Sequence, residues 1–496
     1  MVRGWLQRRV DVGRIVACSA LLAACAQIHN DPINQPLTTS GLQLSTEPPL
    51  EAQTSYDETV VALSFSGGGT RAAAFSYGVL TAFDDTPLPG HATSLLDRVD
   101  FVSGVSGGSV LAAYYGLKKR QALTDFKQRF LLRNAEEKLQ MDLSLLNIAR
   151  GLQGGINDPS LFPRWLDDNL YEHATFKTLL RQRRPYVWIN ASDVYDRTPF
   201  VFGPVLFRAL CSDISNYPIA MAVAASAAVP VVFAPVVLEG YPGQCPIPLP
   251  EWVQRVRANP DAPPLLRYFA DALHRYHTGE VHYVKLLDGG MVDNYGLAGF
   301  TIARLASDKP YGPLEPEQAV KLRRLLFLVA DAGRAPSGDW VKTVEGPSGA
   351  NLITASTDTA TGSGAVGSYQ AFQDTMRQWQ DVLIKWRCGL SAADRRRYGA
   401  PADWACRDVK IFVGRVAFDQ FDPERAAKLN AIVTSFKLPP DQIDTLIAAG
   451  HDAVKNSTAF RTFLGSLGSS SVKAPAQRRG RPAVSSAPGG RQASAQ

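Results

Sequence analysis

Short apolar runs alternate with amphipathic stretches along this chain. Runs of strand length lie at 59–65, 99–105, 186–191, 198–202, 282–287, 325–330 and 409–416. Helical patterns lie between them, at 72–83, 117–152, 160–184 and 369–385, and from the last strand to about residue 467. Strands that alternate with helices predict an α/β protein with a mainly parallel central sheet and helical insertions.

Three stretches do not follow this alternation. Residues 214–238 carry no charge, but Pro218, Pro230 and Pro235 argue against a membrane span. We expect a buried, alanine-rich helix there, followed by an extended segment. Residues 241–280, rich in proline and then polar, predict a surface excursion, and the Gly/Ser/Thr-rich stretch 335–365 predicts a loop.

The first 24 residues have the pattern of a secretory signal rather than of a folded element. A basic segment precedes a short apolar run that ends in Leu22-Ala23-Ala24-Cys25, which resembles the lipobox of bacterial lipoproteins. The resemblance implies that Cys25 is lipidated and anchors the protein in a membrane, and Ala26 after it favours the outer membrane. An ordinary signal peptide, or a short hydrophobic tail on a cytosolic protein, is the alternative.

The remaining sequence divides into four further regions. We expect a polar tether at 25–57 and a catalytic core at 58–305 with a helical insertion near 117–184. A C-terminal α/β extension at 306–467 packs on this core, and the basic tail at 468–496 has nothing to bury and is expected to be disordered.

The charge of the chain is concentrated at its ends. The formal net charge is +6, of which residues 1–24 contribute +3 and residues 471–496 contribute +5, so the part between them is slightly acidic. A slightly acidic body lacks the excess of basic residues typical of proteins that bind nucleic acid, so we expect no nucleic-acid partner.

Four cysteines lie in the body of the protein. If the compartment is oxidising they can pair in three ways, and the pairs Cys211–Cys245 and Cys388–Cys406 would close the smallest loops. Free buried thiols are the alternative. The spacing of cysteine and histidine does not indicate a metal site.

The stretch Gly104-Val-Ser106-Gly-Gly108 lies where an apolar strand meets an alanine-rich helix. It fits G-x-S-x-G, the nucleophile elbow, in which a sharp turn exposes a serine hydroxyl. Glycines beside the serine provide conformational freedom and remove the Cβ atoms that would clash in such a turn. An incidental serine in a glycine-rich turn remains the alternative at this point.

Two other motifs also follow strands, the triplet Gly67-Gly68-Gly69 and the segment Asp288-Gly289-Gly290. Carboxyl ends of parallel strands meet at one edge of a sheet, so these motifs and Ser106 can come together there. Amides of the glycine triplet could stabilise an oxyanion, and Asp288 could accept the serine proton.

A histidine base is the main alternative to Asp288. Only His451 follows Asp288 in the order of the α/β-hydrolase triad, while His282 and His91 precede it. Asp293 is a rival carboxylate, and we expect Asn294 to fix the loop between them.

A second reading of the glycine triplet is dinucleotide binding. Gly67 to Ala72 fits G-x-G-x-x-G/A between a strand and a helix. That fingerprint requires an acidic residue at the end of a second strand, whereas Asp84 and Asp85 directly follow a predicted helix. We therefore expect no nucleotide cofactor, and a bound NAD or flavin would restore this reading.

Together these motifs resemble the patatin-like phospholipases, a family of lipid acyl hydrolases. The resemblance rests on Ser66-Gly-Gly-Gly-Thr-Arg71, the elbow at Ser106, Ala225-Ser-Ala-Ala-Val-Pro230 and Asp288-Gly-Gly290, which occur in the family's order over 58–300. It implies a three-layer sandwich and a Ser106–Asp288 dyad without histidine. It also implies oxyanion donors at Gly67, Gly68 and Gly69, with Arg71 supporting that loop.

The resemblance implies hydrolysis of carboxylic ester bonds in phospholipids or other lipids through an acyl-enzyme. The expected partner is a lipid membrane, at the cell envelope and facing the periplasm, and no metal or other cofactor is implied. The segment Asp288-Gly-Gly-Met-Val-Asp-Asn-Tyr-Gly296 lacks the Asn-Pro common after this motif in plant members. A non-catalytic envelope lipoprotein that uses the fold as a binding scaffold is one alternative, and a protease or esterase with a triad that the motifs do not reveal is another. The oligomeric state is left open.

Overall fold

A computed structural model describes residues 30–37, 58–88, 93–140, 147, 150–151, 154–182, 184–245, 247–336 and 338–468. The strands are β1 Gln35–Pro36, β2 Thr59–Phe65, β3 Val99–Val105, β4 Tyr186–Asp193, β5 Thr198–Val201, β6 Ser212–Asp213, β7 Val236–Glu239, β8 Tyr283–Asp288, β9 Arg324–Asp331 and β10 Lys410–Ala417. The helices are α1 Gly69–Asp84, α2 Gly107–Lys118, α3 Ala122–Phe126, α4 Leu161–Leu166, α5 Phe176–Leu180, α6 Pro204–Ala209, α7 Ile219–Ser226, α8 Glu251–Arg257, α9 Pro264–Thr278, α10 Gly290–Asp293, α11 Ala298–Ala306, α12 Pro316–Lys321, α13 Ala350–Cys388, α14 Ala392–Arg397, α15 Pro423–Ala431, α16 Pro440–Asn456 and α17 Thr458–Gly468.

One mixed sheet forms the centre of the molecule. Its strands lie in the order β10-β9-β2-β3-β4-β8-β7, and β5 pairs with β4 outside this path. The strands from β10 to β4 are parallel. Strands β2, β3 and β9 are buried along almost their whole length because helices cover both faces, which explains their nearly continuous apolar sequences. The predicted parallel core is confirmed.

The strand that ends in Asp288 runs against this parallel set. Strand β8 is antiparallel to both β4 and β7, with Asp288 opposite Ala191 and Leu286 opposite Asp193. The expectation that Asp288 ends a parallel strand is therefore wrong. Asp288 still lies at the carboxyl edge of the parallel strands. Strand β4 extends beyond the end of β3, and β8 pairs antiparallel with that extension.

Two helical layers cover the sheet, and one of them depends on a close contact between α1 and α16. A Cβ atom at Gly78 would lie 2.0 Å from the Ile447 carbonyl oxygen, and one at Gly450 would lie 2.0 Å from that of Phe75. Glycine at both positions lets the two backbones approach more closely than any side chain would allow. The opposite face is covered by α11 and by the C-terminal half of α13, whose Phe372 is fully buried.

The region beyond residue 305 belongs to the same sheet. Strand β9 pairs with β2 from Thr59–Arg324 to Phe65–Ala330, and β10 pairs with β9. The predicted boundary at 305 therefore divides one continuous sheet. Both expected disulfides are present, Cys211–Cys245 and Cys388–Cys406.

Two predicted irregular stretches are in fact helical. The expected surface excursion at 241–280 contains α8 and α9, and α9 buries Phe269, Leu273 and Tyr276 on one face. The expected loop at 335–365 contains the first part of α13, which starts at residue 350. By contrast, in the described parts of 117–152 and 160–184, where helical patterns were expected, the helical pieces are short and separated by turns.

The N-terminal region is described only in part. Residues 30–37 of the predicted tether pack on the body, where β1 pairs with β6 and Asn34 is buried. Cys25, His91 and all but the first residue of the predicted tail lie outside the described residues. None of the described helices has the length and apolar character needed to cross a membrane.

Candidate active site

Ser106 lies in the sharp turn between β3 and α2. Its backbone has φ 50° and ψ −123°, a conformation that non-glycine residues rarely adopt and that is associated with functional sites. A Cβ atom at Gly107 would lie 1.9 Å from the Gly69 carbonyl oxygen, and one at Gly108 would lie 2.5 Å from that of Phe65. The two glycines are therefore required by the close approach of the glycine loop, while the serine itself adopts the strained backbone.

The elbow is fixed from below by the segment Ala225-Ser-Ala-Ala-Val-Pro230. The Ser226 hydroxyl accepts the Ser106 N–H at 2.8 Å and donates to the Asn190 carbonyl at 2.6 Å. Ser226 is fully buried at the end of α7. This motif contributes a hydroxyl that bridges β4 and the elbow.

Asp288 ends β8 beside Ser106. One carboxyl oxygen accepts the Gly290 N–H at 2.8 Å, and the Ser106 hydroxyl is close enough to interact with the same carboxyl. Burial raises the pKa of Asp288 to about 6, although the contacts with Gly290 and Ser106 oppose this shift. The carboxyl is therefore ionised at neutral pH and still basic enough to accept a proton.

Serines inside the central strands hold the loop that follows Asp288. Ser64 of β2 donates to the Tyr295 carbonyl, Ser103 of β3 donates to that of Gly296, and Ser192 of β4 donates to that of Asp288 at 2.9 Å. All three are fully or almost fully buried. They were missed by reasoning from sequence, although polar residues in otherwise buried strands are a signal that could have identified them.

The glycine loop, Gly67 to Gly69, connects β2 to α1 directly above the elbow. The Gly67 N–H donates to the Asn294 carbonyl at 3.2 Å, and the Thr70 N–H donates to that of Ser435 at 2.8 Å. Gly68 and Gly69 lie between these two residues, and their N–H groups have no acceptor in the described part of the chain. These two amides at the N-terminus of α1 can bind a negative charge, whereas the Gly67 amide already donates its hydrogen bond to Asn294.

Arg71 supports this loop from behind. Its Nε donates to the Ala332 carbonyl at 2.9 Å, and its Nη1 donates to the Ile432 carbonyl and to the Thr434 hydroxyl. Burial lowers the pKa of Arg71 to about 10, so it stays charged at neutral pH. Arg71 thus ties the loop to segments after β9 and α15, both in the region beyond residue 305.

The rival carboxylate Asp293 is bound within the loop that follows it. Its Oδ2 accepts the Ala298 N–H at 2.6 Å, so it stabilises the start of α11. Burial raises the pKa of Asp293. Asn294 lies against Gly67, as expected for a residue that fixes the loop.

Two of the candidate histidines, His451 and His282, are described, and their contacts place them away from Ser106. His451 contacts Asp85 at 3.1 Å, at the end of α1 opposite to Gly69, which is about 24 Å away along the helix axis. His282 contacts Glu239 at 3.4 Å and precedes Asp288 by six residues, or about 20 Å of extended chain. Neither histidine is placed to act as a base for Ser106.

The geometry of the described residues does not support a dinucleotide site at the glycine triplet or a metal site. Asp84 is the last residue of α1, where it pairs with Arg120, and is not at the end of a strand. Among the described residues, Cys211, Cys245 and His277 are close enough together to consider as metal ligands. The two cysteines are bonded to each other, so their thiolates are not available.

Comparisons with known proteins identify the family of this site. Residues 63–301 match the family model of the patatin-like phospholipases. Human GIVD cytosolic phospholipase A2, in complex with methyl gamma-linolenyl fluorophosphonate, is 13% identical with a TM-score of 0.36, over 88% of this chain and 64% of that chain. VipD from Legionella pneumophila is 14% identical with a TM-score of 0.32, over 83% of this chain and 68% of that chain.

These structural overlaps are loose. The chain spans slightly less than two thirds of the length of the human phospholipase. A search of curated protein sequences finds no match to this chain.

Proposed function

Because residues 63–301 form a patatin-like phospholipase domain, we propose that this protein hydrolyses the carboxylic ester bonds of phospholipids or related lipids through Ser106 and Asp288. The observation that supports this most strongly is the contact between the elbow serine and a buried carboxyl whose pKa is raised to about 6. A serine hydroxyl is a weak nucleophile, and a carboxylate in contact with it can accept its proton.

The proposed reaction proceeds in two steps. Ser106 Oγ attacks the ester carbonyl while its proton moves to Asp288, and the amides of Gly68 and Gly69 stabilise the oxyanion. The tetrahedral intermediate expels the alcohol, which takes the proton from Asp288 and leaves an acyl-serine. Water then attacks the acyl-serine while Asp288 accepts its proton. The second tetrahedral intermediate releases the free fatty acid, and Asp288 returns the proton to Ser106 Oγ.

The proposal includes the location of the enzyme. The basic segment, short apolar run and Leu22-Ala-Ala-Cys25 sequence support lipidation of Cys25 and attachment to the bacterial cell envelope, with the outer membrane favoured. A membrane-anchored lipid hydrolase would lie beside its substrate. Mass spectrometry of the mature N-terminus tests this part by showing whether Cys25 carries acyl chains.

A fluorophosphonate probe tests the reactive serine directly. We expect the probe to label the full-length wild-type protein at Ser106 and to leave Ser106→Ala unlabelled, because only an activated serine displaces the leaving group. Labelling is read by in-gel fluorescence and its site by peptide mass spectrometry. If the folded wild-type protein stays unlabelled, the alternative of a non-catalytic binding scaffold is favoured.

The pH profile tests the role of Asp288 as a base. Because the proton acceptor must be ionised, we expect kcat/KM to fall as the pH drops below about 6, the raised pKa of Asp288. An aspartate with an ordinary pKa of 3.8 would place this limb about two pH units lower. The profile is measured with a soluble short-chain ester, and an acid limb near pH 4 would contradict the assignment.

A further inference from the structure

Asn294 lies between the glycine loop and the loop that carries Asp288. Its backbone carbonyl accepts the Gly67 N–H at 3.2 Å, and this contact holds the glycine loop. Its side chain lies on the side of the nucleophile. A Cβ atom at Gly67 would lie 2.5 Å from Asn294 Oδ1 and 3.4 Å from the Ser106 Cβ. The side chain of Asn294 and the nucleophile are therefore neighbours across Gly67.

The same carboxamide lies beside the proposed base. A Cβ atom at Gly290 would lie 2.8 Å from Asn294 Oδ1 and 3.1 Å from Asp288 Oδ1. The two oxygens can therefore be no farther apart than the sum of these distances. A single water molecule that donates to two oxygens holds them about 4.5 Å apart, which fits within this limit.

The carboxamide of Asn294 has no partner within the described protein. Although Asn294 is only 8% exposed, its side chain makes no hydrogen bond to any described residue, and neither of its polar atoms is sealed from solvent. Nearly buried polar groups almost always bind either another protein group or a water. The neighbouring Asp293, by contrast, accepts the Ala298 N–H. Asn294 therefore provides a water site beside Ser106 and Asp288.

The second step of the proposed reaction needs a positioned water, whereas the first does not. During acylation the proton moves from Ser106 to Asp288, and no water takes part. During deacylation Asp288 accepts one proton of the attacking water, and the other O–H bond of this water also needs an acceptor, because the site is buried. With both O–H bonds directed at acceptors, a lone pair of the water is free to attack the acyl carbonyl. Asn294 Oδ1 is placed to be the second acceptor.

We propose that Asn294 is a catalytic residue that holds the hydrolytic water against Asp288 during deacylation. This inference rests on the proposed function and assigns a residue to its second step. The water donates one O–H to Asp288 and the other to Asn294 Oδ1. As the water oxygen bonds to the acyl carbon, Asp288 takes the first proton, and the second stays on the fatty acid. Asp288 then returns its proton to Ser106 Oγ as the bond between the acyl carbon and Oγ breaks.

Rapid-quench kinetics separate the two steps. Full-length enzyme in excess is mixed with p-nitrophenyl butyrate, so that p-nitrophenol release reports acylation and the mass of the quenched protein reports butyrylated Ser106. The variant Asn294→Leu removes the carboxamide at similar volume. We expect its acylation to stay within about threefold of wild type and its deacylation to slow by about tenfold or more, so that the acyl-enzyme accumulates.

The matched control is Asn259→Leu, the same substitution at an exposed asparagine after α8. This variant should change neither step. Equal slowing of both steps in Asn294→Leu, or deacylation at the wild-type rate, would overturn the proposal.

A second substitution tests the location of the side chain without the packing of a leucine. Asn294→Asp keeps the shape of the side chain and an oxygen acceptor, but adds a carboxylate beside Asp288. Burial, Gly290 and Ser106 set the pKa of Asp288 at about 6, and no charged group contributes. A like charge raises the pKa of a carboxyl, so we expect the acid limb of kcat/KM to move up by about one pH unit or more.

Above this limb, deacylation in Asn294→Asp should stay within about threefold of wild type, because the water keeps its second acceptor. An acid limb that does not move, or deacylation as slow as in Asn294→Leu, would show that Asn294 Oδ1 does not hold the water.

The two proposals fail in different ways. If wild type releases no p-nitrophenol and no probe labels Ser106, the proposed function fails and the role of Asn294 falls with it. If wild type is butyrylated at Ser106 and turns over, but Asn294→Leu deacylates at the wild-type rate, only the inference about Asn294 fails.

Discussion

Replacing Asp288 by Asn is expected to lower kcat by about 10⁴-fold while leaving the fold intact. An amide cannot accept the Ser106 proton, so acylation and deacylation both lose their base. The Asn side-chain oxygen can still accept the Gly290 N–H that Asp288 accepts at 2.8 Å. Thermal unfolding should therefore change little, and kcat on a soluble ester measures the effect.

The combination of Asp288→Asn with Ser106→Ala shows whether the two residues act as a unit. Each single substitution is expected to remove nearly all activity, and the double variant should be no slower than the slower single variant. Asp293→Asn is the matched control, because it removes a charge from the same loop and keeps an acceptor for the Ala298 N–H. If Asp293→Asn were as inactive as Asp288→Asn, the assignment of the base would be wrong.

The sequence predicted the central sheet well because its strands are buried on both faces. The runs around β2, β3 and β9 are almost wholly apolar, and such runs between helical patterns are characteristic of parallel strands. The direction of β8 could not be predicted in this way. The alternating burial of β8 fits an antiparallel strand, but only the pairing of Asp288 with Ala191 shows in which direction β8 runs.

The errors in helix prediction have separate causes. In α9, Phe269, Leu273 and Tyr276 recur at helical spacing, but the prolines near them led to the prediction of a surface excursion. In α13, residues of low helix propensity form the first turns. These turns continue into the second half of the helix, which packs on the core through buried Phe372 and Trp379. Tertiary packing of one half of a helix is not visible in the composition of the other half.

The residues of the candidate site could be selected from the sequence where several of them lie together in a motif. Ser106, Asp288 and the glycine loop were selected because each lies in a short motif at the end of a strand. The serines that hold the loop after Asp288 were not found, because Ser64, Ser103 and Ser192 are single polar residues whose partners lie far away in sequence. Their role follows only from the hydrogen bonds of the folded chain.

The dependence of the site on the C-terminal region was also hidden. The family model ends at residue 301, and the sequence suggested an extension that packs on a complete core. In the structure, Arg71 finds its acceptors at Ala332, Ile432 and Thr434, and Thr70 donates to Ser435. The glycine loop therefore takes its shape from residues more than 250 positions away in sequence.

Deletion of residues 306–496 is consequently expected to prevent folding, even though the deletion leaves the whole family match in place. The loss of β9 would expose β2 as a sheet edge along Thr59–Phe65, and the loss of α16 would expose the buried face of α1. A typical domain is stable by only roughly 5–15 kcal/mol, so we expect it not to tolerate the loss of both a central strand and a helix packed on the core. We expect the shortened chain to aggregate or to lack a cooperative transition in thermal unfolding followed by circular dichroism.

Deletion of residues 469–496 alone is the control and should leave both the transition and the ester hydrolysis unchanged. A shortened chain that unfolds cooperatively and retains a reactive Ser106 would show that the core is complete without β9, β10 and α16.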